Sequence, residues 1–164
     1  MTLEMRSKKA AALAGAMTTL IAGASLSALV GSSAQAIPVP QQSCAQGTLS
    51  NSAANGWQPV PGAVVSVNNG AVGRRVVVNF NADAGVDPDA EIRLGYRVDA
   101  GAVQTPGAQN FANHTQYWQT RHSMAVLSVP AGSHRIQPYW RISGAAGKQG
   151  VLAGRCLTAE AFTS

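Results

Sequence analysis

Between Glu91 and Val98 the chain reads EIRLGYRV, with Ile92, Leu94, Tyr96 and Val98 at one parity and Arg93, Gly95 and Arg97 at the other. Only an extended backbone sends successive side chains to opposite faces, so a period of two separating apolar from polar residues marks a half-buried strand. The pattern recurs along the chain. AVVSV at 63–67 is followed by NNGAVG, whose Asn-Gly pair signals a turn, and RRVVVNF at 74–80 puts Val76, Val78 and Phe80 on one face. QYWQTRHSMAVLSV at 116–129 reads as a strand broken near Gln119 and resumed through Met124, Val126 and Leu127. HRIQPYWRI and GVLAGRCLTAEAF complete the series.

In VPAGSHRIQPYWRIS, 129–143, counting by twos turns His134, Ile136, Pro138, Trp140 and Ile142 toward a core. Arg135, Gln137, Tyr139 and Arg141 then face outward, and PAG forms the turn that starts the strand. Pro138 has no N–H to give a ladder and predicts an edge strand or a bulge. Outside the N-terminus no window carries apolar residues at helical spacing. Short strands separated by Gly, Asn and Pro predict an all-β fold, an antiparallel β-sandwich of jelly-roll-like form.

The N-terminus belongs to a different pattern. Arg6, Lys8 and Lys9 precede a run from Ala10 to Val30 without a charge, and Ala34-Gln35-Ala36 follows. Basic segment, apolar segment and small-x-small site are the order of a secretory signal peptide, with cleavage after Ala36. The rival, a retained transmembrane anchor, has nearly the length to span a bilayer, but Ala, Gly, Ser and Thr dominate the run and its insertion energy is weak. Gln41-Gln42-Ser43 before Cys44 lacks the small apolar residues of a lipid-attachment site. The expected organisation is a signal peptide over 1–36, an irregular Pro-, Gln- and Ser-rich arm over 37–61 docked by Trp57, and a sandwich domain over 62–164, all outside the cell and without a stable membrane span.

Cleavage removes Arg6, Lys8, Lys9 and Glu4, which takes the twelve basic and seven acidic residues to nine and six, a net charge of about +3. That suits weak attraction to anionic surface polymers and falls short of the clustered basic face that nucleic acid requires. Cys44 and Cys156 both lie in the exported part, where oxidation is permitted and one intramolecular pair can form. A structural disulfide tying the arm to the last strand is the expected role, since zinc would need further ligands at short spacing.

Four groups of residues could carry chemistry. His114, His122 and His134 are the only imidazoles, and they form no HExxH or Gly-x-Ser-x-Gly context. Asp83, Asp87, Asp89 and Glu91 crowd one predicted loop, a candidate calcium turn whose spacing is not that of an EF-hand and whose composition is also that of an ordinary turn. Asn113-His114-Thr115 matches a glycosylation acceptor. Arg93, Arg97, Arg135, Tyr139 and Arg141 fall on outward strand faces; if the strands are neighbours, guanidinium forks beside an aromatic ring suit carboxylate, sulfate or sugar ligands. A solvated arginine-rich sheet face is the plain alternative.

Gly132-Ser133-His134 leading into Trp140-Arg141, then a Gly-rich turn and GRCLTAEAF, is similar to the closing strands of small jelly-roll domains of the C1q and tumour-necrosis-factor-like group and of related phage-tail sandwiches. The export signal and Ala-rich composition resemble uncharacterised secreted proteins of actinobacteria. The C1q-like resemblance implies trimers and ligand binding and carries over no catalytic residue. A secreted, non-catalytic module that binds a cell-surface polymer or protein, without a cofactor, is therefore the first expectation. A hydrolase assembled from His and Asp/Glu, or a homo-oligomeric structural module, is the alternative.

Overall fold

The computed structural model describes residues 39–106, 110–113 and 118–162, so the expected signal peptide, His114 and the Asn113-His114-Thr115 acceptor lie wholly or partly outside the described residues. The described chain is built from strands: β1 (Gln41–Ala45), β2 (Leu49–Ser52), β3 (Gln58–Pro59), β4 (Val65–Asn68), β5 (Arg74–Val86), β6 (Glu91–Val98), β7 (Asn110–Asn113), β8 (Gln119–Val129), β9 (Ser133–Ser143) and β10 (Gln149–Ala161), with one 3-10 turn at Ala53–Asn55. They form two antiparallel sheets. The first runs β1-β10-β5-β8 with β2 also on β10, and the second runs β3-β9-β6-β7 with β4 also on β9. From β4 onward every connection except β6 to β7 crosses between the sheets, which is the strand succession of a jelly roll.

The core is the interleaved inner faces. Val76, Val78, Phe80, Ala82 and Ala84 of β5 meet Ile92, Leu94 and Tyr96 of β6 and Ile136, Trp140 and Ile142 of β9, all buried. The alternation read at 91–98 and 74–80 is the observed one, but β5 continues to Val86 because Ala82, Ala84 and Val86 keep the parity with side chains too small to announce it. Asp83 is therefore in a strand, and the turn shrinks to 87–90. β8 is unbroken from Gln119, with Ser123, Ala125, Leu127 and Val129 inward.

Pro138 departs from expectation: β9 is an internal strand, paired to β6 on one side and to β3 and β4 on the other. β3 covers Trp140 and Tyr139, β4 covers Ser133 to Ile136, and Pro138 falls between them. Its carbonyl accepts from Val60 N at 2.9 Å on that side, so its nitrogen faces the gap between β3 and β4 and no ladder donor is missing.

The arm read as irregular instead contributes three strands. β1 pairs along β10, β2 follows it on the same strand, and β3 joins the opposite sheet. Two neighbouring residues of β10 secure this segment. The β5–β10 register shifts between Ala153 and Cys156, where three steps on β10 answer two on β5, and Gly154 sits there at φ +50°. That is a glycine bulge, and it inverts the parity of the rest of the strand. Arg155 turns inward and is 5% exposed. Cys156 turns outward, directly opposite Cys44, and the disulfide joins them across β1 and β10. Closing a loop of 112 residues stabilises the fold by about 4 to 5 kcal/mol in the chain-entropy model.

The Arg155 guanidinium meets carbonyls rather than a carboxylate. Its Nε donates to Pro61 O at 3.0 Å, and its Nη1 donates to Gly47 O at 2.8 Å and Gln46 O at 3.2 Å. Burial draws its pKa down from the usual guanidinium value, yet a guanidinium remains charged and all three acceptors need it. Replacing Arg155 with Met removes the shared donor that ties Gln46, Gly47 and Pro61 to β10 and should lower stability by about 2 kcal/mol in urea denaturation. Arg155→Lys should recover less than half of that loss, because an ammonium cannot reproduce the fork.

Candidate functional site

Strand register brings most of the outward arginines onto the outer face of the second sheet. Arg93 lies opposite Arg141, Gly95 opposite Tyr139 and Arg97 opposite Gln137 across β6 and β9. Like charges directly opposite on a sheet repel, so each guanidinium requires a partner of its own. Arg93 bonds Glu91 Oε2 from Nη2 at 3.2 Å and from Nε at 3.3 Å. The Arg141 guanidinium sits 5.0 Å from the centre of the Trp57 ring. Arg97 lies 4.3 Å over the Tyr139 ring and donates from Nη1 to its hydroxyl at 2.8 Å.

The face thus carries two cation–aromatic stacks, with an ion pair at the Glu91 end of the ladder. The Nε atoms of both stacked arginines, Arg97 and Arg141, are buried and have no hydrogen-bond partner among the described residues. Arg121 Nε, on β8 of the first sheet, is in the same state, so the feature that distinguishes this face is the aromatic stacking.

Two sequence expectations need correction. Tyr139 is only 9% exposed, with Arg97 covering its ring, and across the ladder the segment 103–105 lies over Gly95. That segment bonds Tyr96 through Gln104 in both directions, at 2.8 and 2.7 Å. Gly95 makes the crossing feasible, since a Cβ there would lie 2.6 Å from Val103 Cγ1 and 3.0 Å from Gln104 O. Tyr139 is a support for Arg97 rather than a free ring. Arg135 is exposed but stands apart from the other arginines, opposite Ser66 of β4. Trp57, read as a docking residue of the arm, belongs to the site. The clue was its single large ring in a polar segment.

The acidic turn does not converge. Asp83 accepts from Thr120 Oγ1 at 2.6 Å on the first sheet, and Glu91 holds Arg93 on the second. Asp87 ties the 87–90 turn to β10, its Oδ2 accepting from Gln149 N at 2.8 Å. Among the described residues no three His, Cys, Asp or Glu side chains gather as a metal would require. His122, on β8, lies on the first sheet opposite Asn81, away from His134.

His134 is engaged at both ring nitrogens. Nδ1 meets Asp99 Oδ2 at 2.7 Å and Nε2 meets Ala131 O at 2.9 Å, and both partners are acceptors, so the full pair of bonds needs the imidazolium. The Asp99 bond, followed by the Ala131 carbonyl, raises the His134 pKa above 6.5. The His134 bond, followed by Arg135 N–H, lowers the Asp99 pKa below 3.8. This clasp fastens the turn after β6 to the start of β9.

A search of protein-family models finds no match to the sequence, and no curated protein matches it. Seven solved chains are similar in structure. One, described as the structure of infectious bursal disease virus Gt strain, has 14% identity and a TM-score of 0.44 over 74% of this chain; this chain spans only 31% of that one. Another, Eiger TNF from S. frugiperda, has 14% identity and a TM-score of 0.41 over 78% of this chain and 94% of its own.

The clasp has a defined pH window. His134 stabilises the fold below its unfolded value near 6.5 and ceases to as pH rises through its raised folded value, whereas Asp99 contributes above 3.8 and is lost as pH falls through its lowered folded value. The melting-temperature advantage of the wild type over Asp99→Asn should be largest near pH 5 to 6 and shrink toward pH 8.5. Asn tolerates the φ of +50° at position 99, so that variant tests charge rather than backbone strain.

Proposed function

We propose that this chain is an exported, non-catalytic recognition module that binds an anionic polymer through the outer face of its second sheet. The observation that carries the reading is the pair of stacked arginines, Arg97 on Tyr139 and Arg141 on Trp57. Stacking holds a guanidinium at low entropic cost and leaves its edge for a carboxylate or sulfate. Arg93 lies across the ladder from Arg141 and adds a third cation on the same face.

The Cys44–Cys156 bond supports an oxidising location, and among the described residues no helix is long and apolar enough to cross a membrane. The engagement of His134 by Asp99 and Ala131 and of Asp87 by Gln149 supports a structural use of these groups over the hydrolase alternative.

A second reading, an assembly module, is favoured by the outer face of the first sheet, where Met124 and Val126 are 59% and 39% exposed. Light scattering separates the two: a discrete oligomer that Val126→Lys disperses would support assembly, and a monomer would oppose it.

The binding test uses carboxymethyl dextran against unsubstituted dextran, measured by calorimetry. Arg93→Gln with Arg141→Gln should weaken binding to the charged polymer by about tenfold or more while leaving the melting temperature nearly unchanged. Lys148→Gln, which removes a cation from the β9–β10 turn, should have little effect. Equal losses in both variants would show unspecific charge attraction, and no loss in either would remove the face from consideration.

A further inference from the structure

At the Val86 end of β5, the outer face of the first sheet carries a small cleft. β5 is the middle strand there, with β10 on one side and β8 on the other. Ala84, Gly150 and Leu152 face the core, so Gly85, Gln149 and Val151 face outward. Trp118, immediately before β8, has the outward parity of Thr120, whose hydroxyl bonds Asp83. Gly85, Asp87, Pro88, Trp118, Gln149 and Val151 together line a space of about 250 Å³. Gly85 leaves its floor open: a Cβ there would stand 3.3 Å from Val151 Cγ2, so a side chain would fill the gap between Val151 and the indole.

Trp118 is 52% exposed. A single exposed ring is ordinary on a protein surface, but this one stands across the middle strand from Val151 and walls a cleft with polar groups at its end. Asp87 Oδ2 accepts from Gln149 N at 2.8 Å and Asp87 N–H donates to Gln149 O at 3.0 Å, which fixes the carboxylate against β10. Its Oδ1, the Gln149 side-chain amide and the Trp118 indole N–H have no partner among the described residues. The cleft therefore offers an acceptor, an amide that both donates and accepts, and a donor, beside the apolar surface of Trp118, Val151 and Pro88. Asp87 is its one charged lining residue.

We infer that this cleft binds a neutral sugar ring, with a C–H face of the pyranose on the Trp118 indole and the hydroxyl rim toward Asp87 and Gln149. A pyranose joins an apolar face to an edge of groups that donate and accept, and a few convergent polar groups on an apolar wall fix such a ligand in one orientation. The carboxylate accepts from hydroxyls and repels anions, so an acidic sugar is disfavoured. An ammonium ligand calls for several aromatic faces around it, and one ring lines the cleft. The volume falls just below the range of about 300 to 1,000 Å³ usual for larger ligands, and suits a single ring rather than a peptide. The cleft lies on the other sheet from the arginine face and takes an uncharged ligand, so either assignment can fail alone.

Titration of the full oxidised chain, followed by calorimetry and by the indole N–H signals in NMR, tests the inference. The probe is methyl β-glucoside, whose equatorial hydroxyls leave both ring faces C–H; the comparisons are methyl β-glucuronide, sorbitol, cyclohexanol and choline. Methyl β-glucoside should shift the Trp118 indole signal, leave those of Trp57 and Trp140 in place, and bind at least about fivefold more tightly than any comparison compound. Trp118→Ala should weaken it by about tenfold and Gln149→Ala by about threefold at an unchanged melting temperature, while Trp118→Phe recovers most of the loss. Sorbitol binding as well as the glucoside would reduce the site to hydrogen bonding alone, and cyclohexanol binding as well would reduce it to an apolar contact. Tighter binding of choline or the glucuronide would contradict the selection for a neutral ligand. Each of these overturns the inference, as does an unmoved Trp118 signal or an unchanged affinity in Trp118→Ala. A discrete oligomer that Trp118→Ala disperses would also overturn it, by assigning the ring to a subunit contact.

Discussion

The bulge at Gly154 decides what β10 can do. Without it, the parity set by Gly150 and Leu152 would carry Cys156 inward and Arg155 outward. With it, one strand clamps the N-terminal segment twice, once by a disulfide on the outer face and once by a buried guanidinium on the inner face. β5 lies on one side of β10 and β1 and β2 on the other, so the same strand joins the segment to the core. The cost of the arrangement is a largely buried cation, offset by charge-assisted hydrogen bonds to three backbone carbonyls of the N-terminal segment.

The parts of the fold legible in the sequence were those where side-chain size made the alternation visible. Ile92, Leu94 and Tyr96 announce β6, and Val76, Val78 and Phe80 announce the first half of β5. Ala82 and Ala84 continue it without a hydrophobic signal. The strands of the arm carry no core-facing apolar pattern at all. Their partners are the backbone of β10 and β9, 80 to 118 residues away, and no local pattern encodes that pairing. Pro138 misled for a related reason: it marks a missing partner, but on one side of an internal strand, where two short strands leave a gap.

The site was legible in its residue types and their faces. Arg93, Arg97 and Arg141 do share a surface, as the period of two requires. What the sequence concealed was the third dimension. Tyr139 has the parity of a surface residue, yet the Arg97 guanidinium covers its ring. Trp57 reaches the face from the bend just before β3, far away along the chain. The acidic turn dispersed because its carboxylates belong to two sheets, with Asp83 on β5 and Glu91 on β6, so closeness along the chain did not become closeness in space.

Two surfaces emerge with distinct chemistry, a polar arginine face on one sheet and the exposed Met124 and Val126 on the outer face of the other. The first supports the main functional reading and is the one to examine most directly. Nitrogen-edited NMR of the arginine Nε–H groups during titration with carboxymethyl dextran reports each guanidinium by itself. The account expects the Nε–H signals of Arg97 and Arg141 to be protected from solvent before titration and to shift first, with those of Arg74 and Arg75 unmoved. Shifts spread evenly over all arginines, or confined to residues off the second sheet, would contradict it.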